Sequence, residues 1–218
     1  MSNLILSNIG LLVTMDDERS ELSGVNIVIR DGIIDQIGVS SNPTQIDGTP
    51  TVDMSGYAVF PGLINTHHHL YQTLTRAVPG AQNTGLFEWL RTLYPIWGKM
   101  DGEAVYVSAL VGLAELLLSG CTSSADHLYM YPNGARLDDS IRAATELGIR
   151  FHPTRGSMSF GESAGGLPPD SLVENETHIL DDCQRLIEEF HDSEVGAMMQ
   201  IGLAPCSPFS VSSDLMVE

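Results

Sequence analysis

Positive charge is scarce in this sequence. Ten lysines and arginines face 28 aspartates and glutamates, for a net charge of −18. A surface that acidic repels phosphate backbones and anionic lipid, which argues against nucleic-acid and membrane partners. The acids are scattered, so the excess also reads simply as solubility. Cysteine is equally sparse. Cys121, Cys183 and Cys206 are odd in number and widely spaced, with no CxxC pair. That fits a reducing cytoplasm better than a disulfide framework. No apolar run approaches the roughly 20 residues a membrane-spanning helix needs. The opening MSNLILSNIG lacks the basic stretch and cleavage pattern of a signal peptide. Internal repeats and low-complexity segments are also missing, which excludes a repeat array.

What is present is a core-forming composition, 43% hydrophobic over 218 residues, enough for one large domain or two small ones. Residues 1–60 read as strands and turns. Val25 to Arg30 alternates, Asp31-Gly32 follows, and Ile33 to Ile37 comes next; a DG pair between two such runs predicts a hairpin. A polar stretch from Ser40 to Pro50 then leads to another short run near Tyr57. After Pro61 the rhythm changes. Helical periodicity covers Asp101 to Leu118, Leu137 to Leu147 and Ser171 to Phe190, with Gly120 and Gly148 placed as stops. Strands are expected over 58–65, 121–125, 149–153 and 197–203. Strands alternating with helices predict βαβ units and a parallel sheet. A (β/α)8 TIM-type barrel takes about 250 residues, so four units supply roughly half of one. The sequence therefore reads as residues 1–60 of a small β-sandwich domain and residues 61–218 of a half barrel, truncated or incompletely represented.

Three of the seven histidines, His67, His68 and His69, stand together at the end of the first of these strands. Catalytic groups cluster at such strand ends in barrels. In extended backbone, residues two apart share a side. His67 and His69 would face one way as two ligands for a divalent metal, and His68 the other. A polar surface loop is the competing explanation.

The stretch PGLINTHHHLYQ resembles the metal-binding signature of the amidohydrolase superfamily. GVNIVIRDGIIDQIG resembles its N-terminal β-sandwich segment. LLLSGCTSSADHLY, GIRFHPTRGSMS and IGLAPCSPFSVS resemble its second, third and fourth barrel strands. Within it, the sequence looks most like the aminohydrolases of purines, pterins and triazines, and NTHHHLYQTLTRA, TRGSMS and GGLPP look most like those acting on 8-oxoguanine. The resemblance implies a metal-dependent deaminase converting 8-oxoguanine to urate and ammonia. Guanine, isoguanine, pterin and hydroxytriazine are the alternative substrates, and an inactive heterocycle-binding paralogue is the alternative of another class. It implies His67 and His69 as ligands of one divalent ion, zinc or else iron, with His68 variable. The other ligands and the proton shuttle are expected beyond Glu218, so this segment alone is expected to be inactive. Homo-oligomers are common in the superfamily. A branch that cleaves cyclic amides uses a lysine after the fourth strand; no lysine occurs beyond Lys99, which disfavours it.

For the substrate, four residues stand out. Gln72 could hydrogen-bond a purine edge or simply begin a helix. Trp97 could wall a flat base or sit in the core. Arg155, at the end of the third strand, could fork onto a carbonyl oxygen. Cys206 follows the fourth strand, where relatives often carry a substrate-contacting histidine, and is otherwise a small buried residue. His127 is expected to be structural and Asp126 to back a metal-bound histidine ring. His152 is expected in the core, and His178 and His191 on a solvated helix face. Gly161 to Asp170 reads as a lid loop.

Overall fold

The computed structural model describes residues 3–38 and 48–217; most of the polar stretch from Ser40 to Pro50 lies outside them. The chain divides into two compact units, Met1–Gly62 and Leu63–Glu218.

Among the described residues, the regular structure of the first unit is strand. β1 (Leu4–Ile9), β2 (Leu11–Val13), β3 (Glu21–Leu22), β4 (Val25–Arg30), β5 (Ile33–Gly38), β6 (Thr51–Asp53) and β7 (Ala58–Val59) form two sheets, ordered β5-β4-β1-β6 and β3-β2-β7. The expected hairpin joins β4 to β5, pairing Arg30 with Ile33. Asp31 and Gly32 sit at φ of 52° and 82°, the positive values a two-residue primed turn requires. Ile9, Leu12, Val25 and Ile27 bury the core of this unit.

The second unit is a curled parallel sheet, β11-β10-β9-β8, in the manner of half an eight-stranded β/α barrel. Its strands are β8 (Leu63–Asn65), β9 (Cys121–Leu128), β10 (Arg150–Ser157) and β11 (Gly202–Pro205). Its helices are α1 (Leu86–Trp97), α2 (Gly102–Leu118), α3 (Leu137–Leu147) and α4 (Glu176–Phe190). Asp101 caps α2 by accepting from the Ala104 N–H at 2.9 Å. Gly148 ends α3 at φ 72°, the left-handed conformation that glycine takes without a Cβ penalty. Leu70, Ala109, Leu113, Ala144, Ile149 and Phe151 fill one core between helices and sheet. An aromatic core holds Tyr71, Tyr94, Trp97 and Tyr129. Among the described residues, no helix is long and apolar enough to cross a membrane.

Two of these expectations change, and one helix appears that the sequence reading did not include. The strand over 58–65 is two strands: Ala58–Val59 pairs with β2, while Leu63–Asn65 opens the parallel sheet. Pro61-Gly62 separates them, since proline cannot donate to a ladder. α4 begins at Glu176 rather than Ser171, because Asn175 caps it and Asp170–Leu172 is a short 3-10 turn. α1 has the helical spacing Leu86, Leu90, Leu93, Trp97 but carries Pro95 near its end, which masks it as a helix.

A candidate metal and ligand site at the strand ends

The histidine segment leaves β8 after Asn65, whose Oδ1 accepts from the His67 N–H at 3.2 Å. Two bonds then pin it to β9. The His68 carbonyl accepts from the His127 N–H at 2.9 Å, and Asp126 Oδ1 accepts from the Leu70 N–H at 2.7 Å. Leu70–Thr75 follows as a 3-10 turn seated on α2 at Gly112. A Cβ there would lie 2.8 Å from Leu70 Cδ2 and 2.9 Å from Thr73 Oγ1, so only glycine lets helix and turn approach this closely. The path puts the His67 and His69 rings edge to face, 5.1 Å between centroids. His68 turns toward α2, its Cε1 4.0 Å from that Gly112 position.

His69 Nδ1 lies 2.8 Å from the His127 carbonyl. A carbonyl only accepts, so Nδ1 carries the proton and Nε2 keeps its lone pair. Burial pulls the pKa of His69 below the usual histidine value, against the opposing pull of that bond. A neutral imidazole with its second nitrogen held by a backbone carbonyl is how metal-binding histidines are oriented. Two rings sharing one ion at about 2.1 Å in tetrahedral geometry have centres about 5 Å apart. The observed separation meets that requirement, so the pair fits a divalent metal. Among the described residues, no group of three or more His, Cys, Asp or Glu side chains is arranged to hold one; the pair would supply two ligands.

Asp126 does not back a histidine ring as expected. It is buried, with Oδ2 unpartnered, and burial pushes its carboxyl up to about 7. Its contact is with backbone just beyond His69. His127 orients His69 through its own carbonyl, while its Nε2 donates to the Ala204 carbonyl at 3.0 Å. One run of hydrogen bonds thus joins β11, β9 and the histidine segment.

Gln72 lines a 240 Å³ hollow together with the three histidines and Arg76, and its amide donates to the Tyr71 hydroxyl at 3.0 Å. Cys206 lines a separate, mostly apolar cavity of 610 Å³ with Tyr94, Tyr129 and Met158. Burial pushes its thiol pKa up, the opposite of an activated nucleophile. Gly165 to Pro168, from the expected lid loop, wall the same cavity. Tyr129 stands between the two spaces, its ring 5.8 Å from His69 and 5.2 Å from His127. Reading the sequence missed Tyr129, although it directly follows β9 at a strand end, the signal used for the histidines.

Two substrate candidates lie elsewhere. Trp97 is fully buried, donating its indole N–H to Thr75 Oγ1 at 2.9 Å. Tyr71, Trp89 and Tyr94 meet it edge-on at 5.1–5.8 Å, so it walls neither space. Arg155 is also buried. Its guanidinium binds Glu174 with two nitrogens and Asp182 with the third, and lies 4.3 Å above the Tyr131 ring. The physical reason is strand alternation. On β10, Phe151 and Arg155 point to the helices, while Gly156 faces His127, where a Cβ would lie 2.5 Å from Nε2. His152 is exposed rather than in the core. His178 is exposed on α4 as expected. His191 lies just past that helix and accepts from the Ile201 N–H through Nδ1.

The amidohydrolase family model matches residues 58–218. The 8-oxoguanine deaminase of Pseudomonas aeruginosa is 48% identical over 87% of this chain and 43% of its own length. Hydroxydechloroatrazine ethylaminohydrolase of Pseudomonas sp. strain ADP is 35% identical over the whole chain and 48% of its own length. The structure of atrazine chlorohydrolase TrzN from Arthrobacter aurescens TC1 complexed with zinc superposes at a TM-score of 0.87, with 31% identity. That match covers 97% of this chain and 48% of the other. The chain spans a little under half the length of the curated relatives it matches. With the family model covering most of its length and the barrel units in the expected order, the chain belongs to the amidohydrolase family.

Proposed function

We propose that this chain is part of a metal-dependent hydrolytic aminohydrolase, with 8-oxoguanine as substrate and urate and ammonia as products. The observation that carries the reading is the His67–His69 pair with its free Nε2, next to a cavity of ring-sized apolar walls. The names of the relatives, an 8-oxoguanine deaminase and an ethylaminohydrolase of a hydroxytriazine, support the reaction class. The higher identity to the former supports the purine. A divalent metal supplies a bound water whose pKa falls to about 7, a nucleophile at neutral pH.

The chain's own residues do the rest. His127 holds His69 in the tautomer that leaves Nε2 free. Asp126 and the Gly112 seat fix the turn that carries both ligands. Gln72 offers an amide donor and acceptor at the rim of the histidine hollow. Tyr129, Met158 and the 165–168 loop enclose a flat ring and exclude water around it. Water replaces the exocyclic amino group at C2, and ammonia leaves. We also propose that the first unit contributes to a β-sandwich domain, and that the three free cysteines reflect a reducing cytoplasm.

The test is a panel of 8-oxoguanine, guanine, isoguanine, isoxanthopterin and a hydroxytriazine assayed for ammonia release by the intact protein. Zinc and iron content are measured alongside, in wild type and in the double variant His67→Ala, His69→Ala. The expected result is release from 8-oxoguanine above the others and loss of metal in the variant. Full metal content in the double variant, or release from none of the rings, rejects the reading.

A further inference from the structure

Arg155 is committed to Glu174 and Asp182, and the charge at the 610 Å³ cavity comes from α1. Arg91 is exposed and lines the 610 Å³ cavity. It is the one charged side chain among the residues lining that space. Among the described residues no hydrogen bond or ion pair engages it, whereas Arg30, Arg76, Arg136, Arg142 and Arg185 are all paired with carboxylates. In a chain of net charge −18 with only ten basic side chains, an unpaired guanidinium at a cavity wall stands out. Phe87, Arg91 and Tyr94 lie at i, i+4 and i+7, one face of α1, so Arg91 is flanked by two aromatic rings facing the same space.

The other polar groups there are already engaged. The Tyr94 hydroxyl lies 4.0 Å from Met158 Sδ, and the Ser207 and Ser210 hydroxyls bond each other at 2.9 Å. A guanidinium is a planar fork of donors with no acceptor. It suits two adjacent acceptors, such as a keto or enolate oxygen beside a ring nitrogen. A ring whose exocyclic groups are all amines sets an N–H donor beside each ring-nitrogen acceptor, so it offers the fork no two adjacent acceptors.

We propose that Arg91 is the specificity-determining residue of this cavity, selecting heterocycles that present an oxo edge over their amino-only counterparts. This rests on the aminohydrolase reading and names the residue that reads the oxo edge of its substrate.

The test measures binding of urate and of 2,6-diaminopurine to the intact protein, wild type and Arg91→Gln, by isothermal titration. KM and kcat for 8-oxoguanine are measured in parallel. Loss of one charge-assisted hydrogen-bonding fork predicts about 10-fold or greater weakening for urate in Arg91→Gln. Binding of 2,6-diaminopurine is expected to change less than about 2-fold, and the KM for 8-oxoguanine to rise with kcat little changed. Arg91→Lys keeps the charge without the fork and falls between. As an exposed helix position, residue 91 leaves the thermal midpoint within a degree or two of wild type. Equal losses for both probes, or none for urate, overturn the assignment. If wild type turns over 8-oxoguanine and Arg91→Gln does so with the same KM, this inference alone falls. If wild type binds neither probe and releases no ammonia, the aminohydrolase reading falls with it.

Discussion

At the scale of single residues, Asp126 holds the most consequential carboxyl in the chain. It is 2% exposed and keeps one oxygen on the Leu70 N–H and the other without a partner. Burial favours the neutral acid, which pushes the group up to about 7, against about 3.9 in an unfolded chain. Between about pH 4 and pH 7 the folded protein therefore holds a proton that the unfolded chain has released. Stability falls as pH rises through that window and levels off above it. Asp126→Asn stays neutral throughout, so its stability relative to wild type is expected to rise between pH 5 and pH 8, by up to a few kcal/mol. Urea unfolding at each pH measures the difference, and parallel curves for the two proteins would refute it. The sequence marked Asp126 and His127 by their place at a strand end, yet misassigned what Asp126 touches. A side chain's partner depends on which backbone group passes it, here one 56 positions away. Trp97 and Arg155 carry the same lesson. Both side chains suit a ligand chemically, and both are claimed by partners brought in from other elements.

At the scale of elements, two helix ends were plain in the sequence. Asp101 before α2 and Gly148 after α3 act through the backbone of their own turn. Strand limits were less plain, because a strand ends where its neighbour stops pairing. β9 runs to Leu128 and β10 to Ser157, each three or more residues past its apolar run, since parallel partners continue to pair with them. Gly156 shows how tightly those strands are packed. A Cβ at that position would lie 2.5 Å from His127 Nε2 and 2.6 Å from Tyr129 Cβ. His127 is held by Ala204 and cannot swing away without losing that bond. Gly156→Ala is expected to destabilise the protein by roughly 1–3 kcal/mol, the usual range for overpacking. Denaturant titration checks this, and an unchanged midpoint would mean that the His127 ring is not held.

At the scale of the whole molecule, the excess of negative charge acts on every part of the chain at once. Self-repulsion among so many carboxylates opposes compaction, and salt screens it over about 8–10 Å. The thermal midpoint is expected to rise by several degrees as sodium chloride goes from about 10 mM to the physiological 150 mM range. A midpoint that stays flat or falls would show that local ion pairs such as Arg155 with Glu174 and Asp182 outweigh the net charge. The alternation of strands and helices, the parallel sheet and the closeness of the His67 and His69 rings were legible in the sequence. Each depends on spacing along the chain: period 2 for strands, 3.6 for helices, and a step of two positions between imidazoles facing one way. Only the tertiary structure decided that Arg155 turns outward while Gly156 turns in, that Trp97 closes a core, and that Arg91 is left unpaired at a cavity wall. Those outcomes depend on which distant surfaces meet, and local spacing carries no record of that.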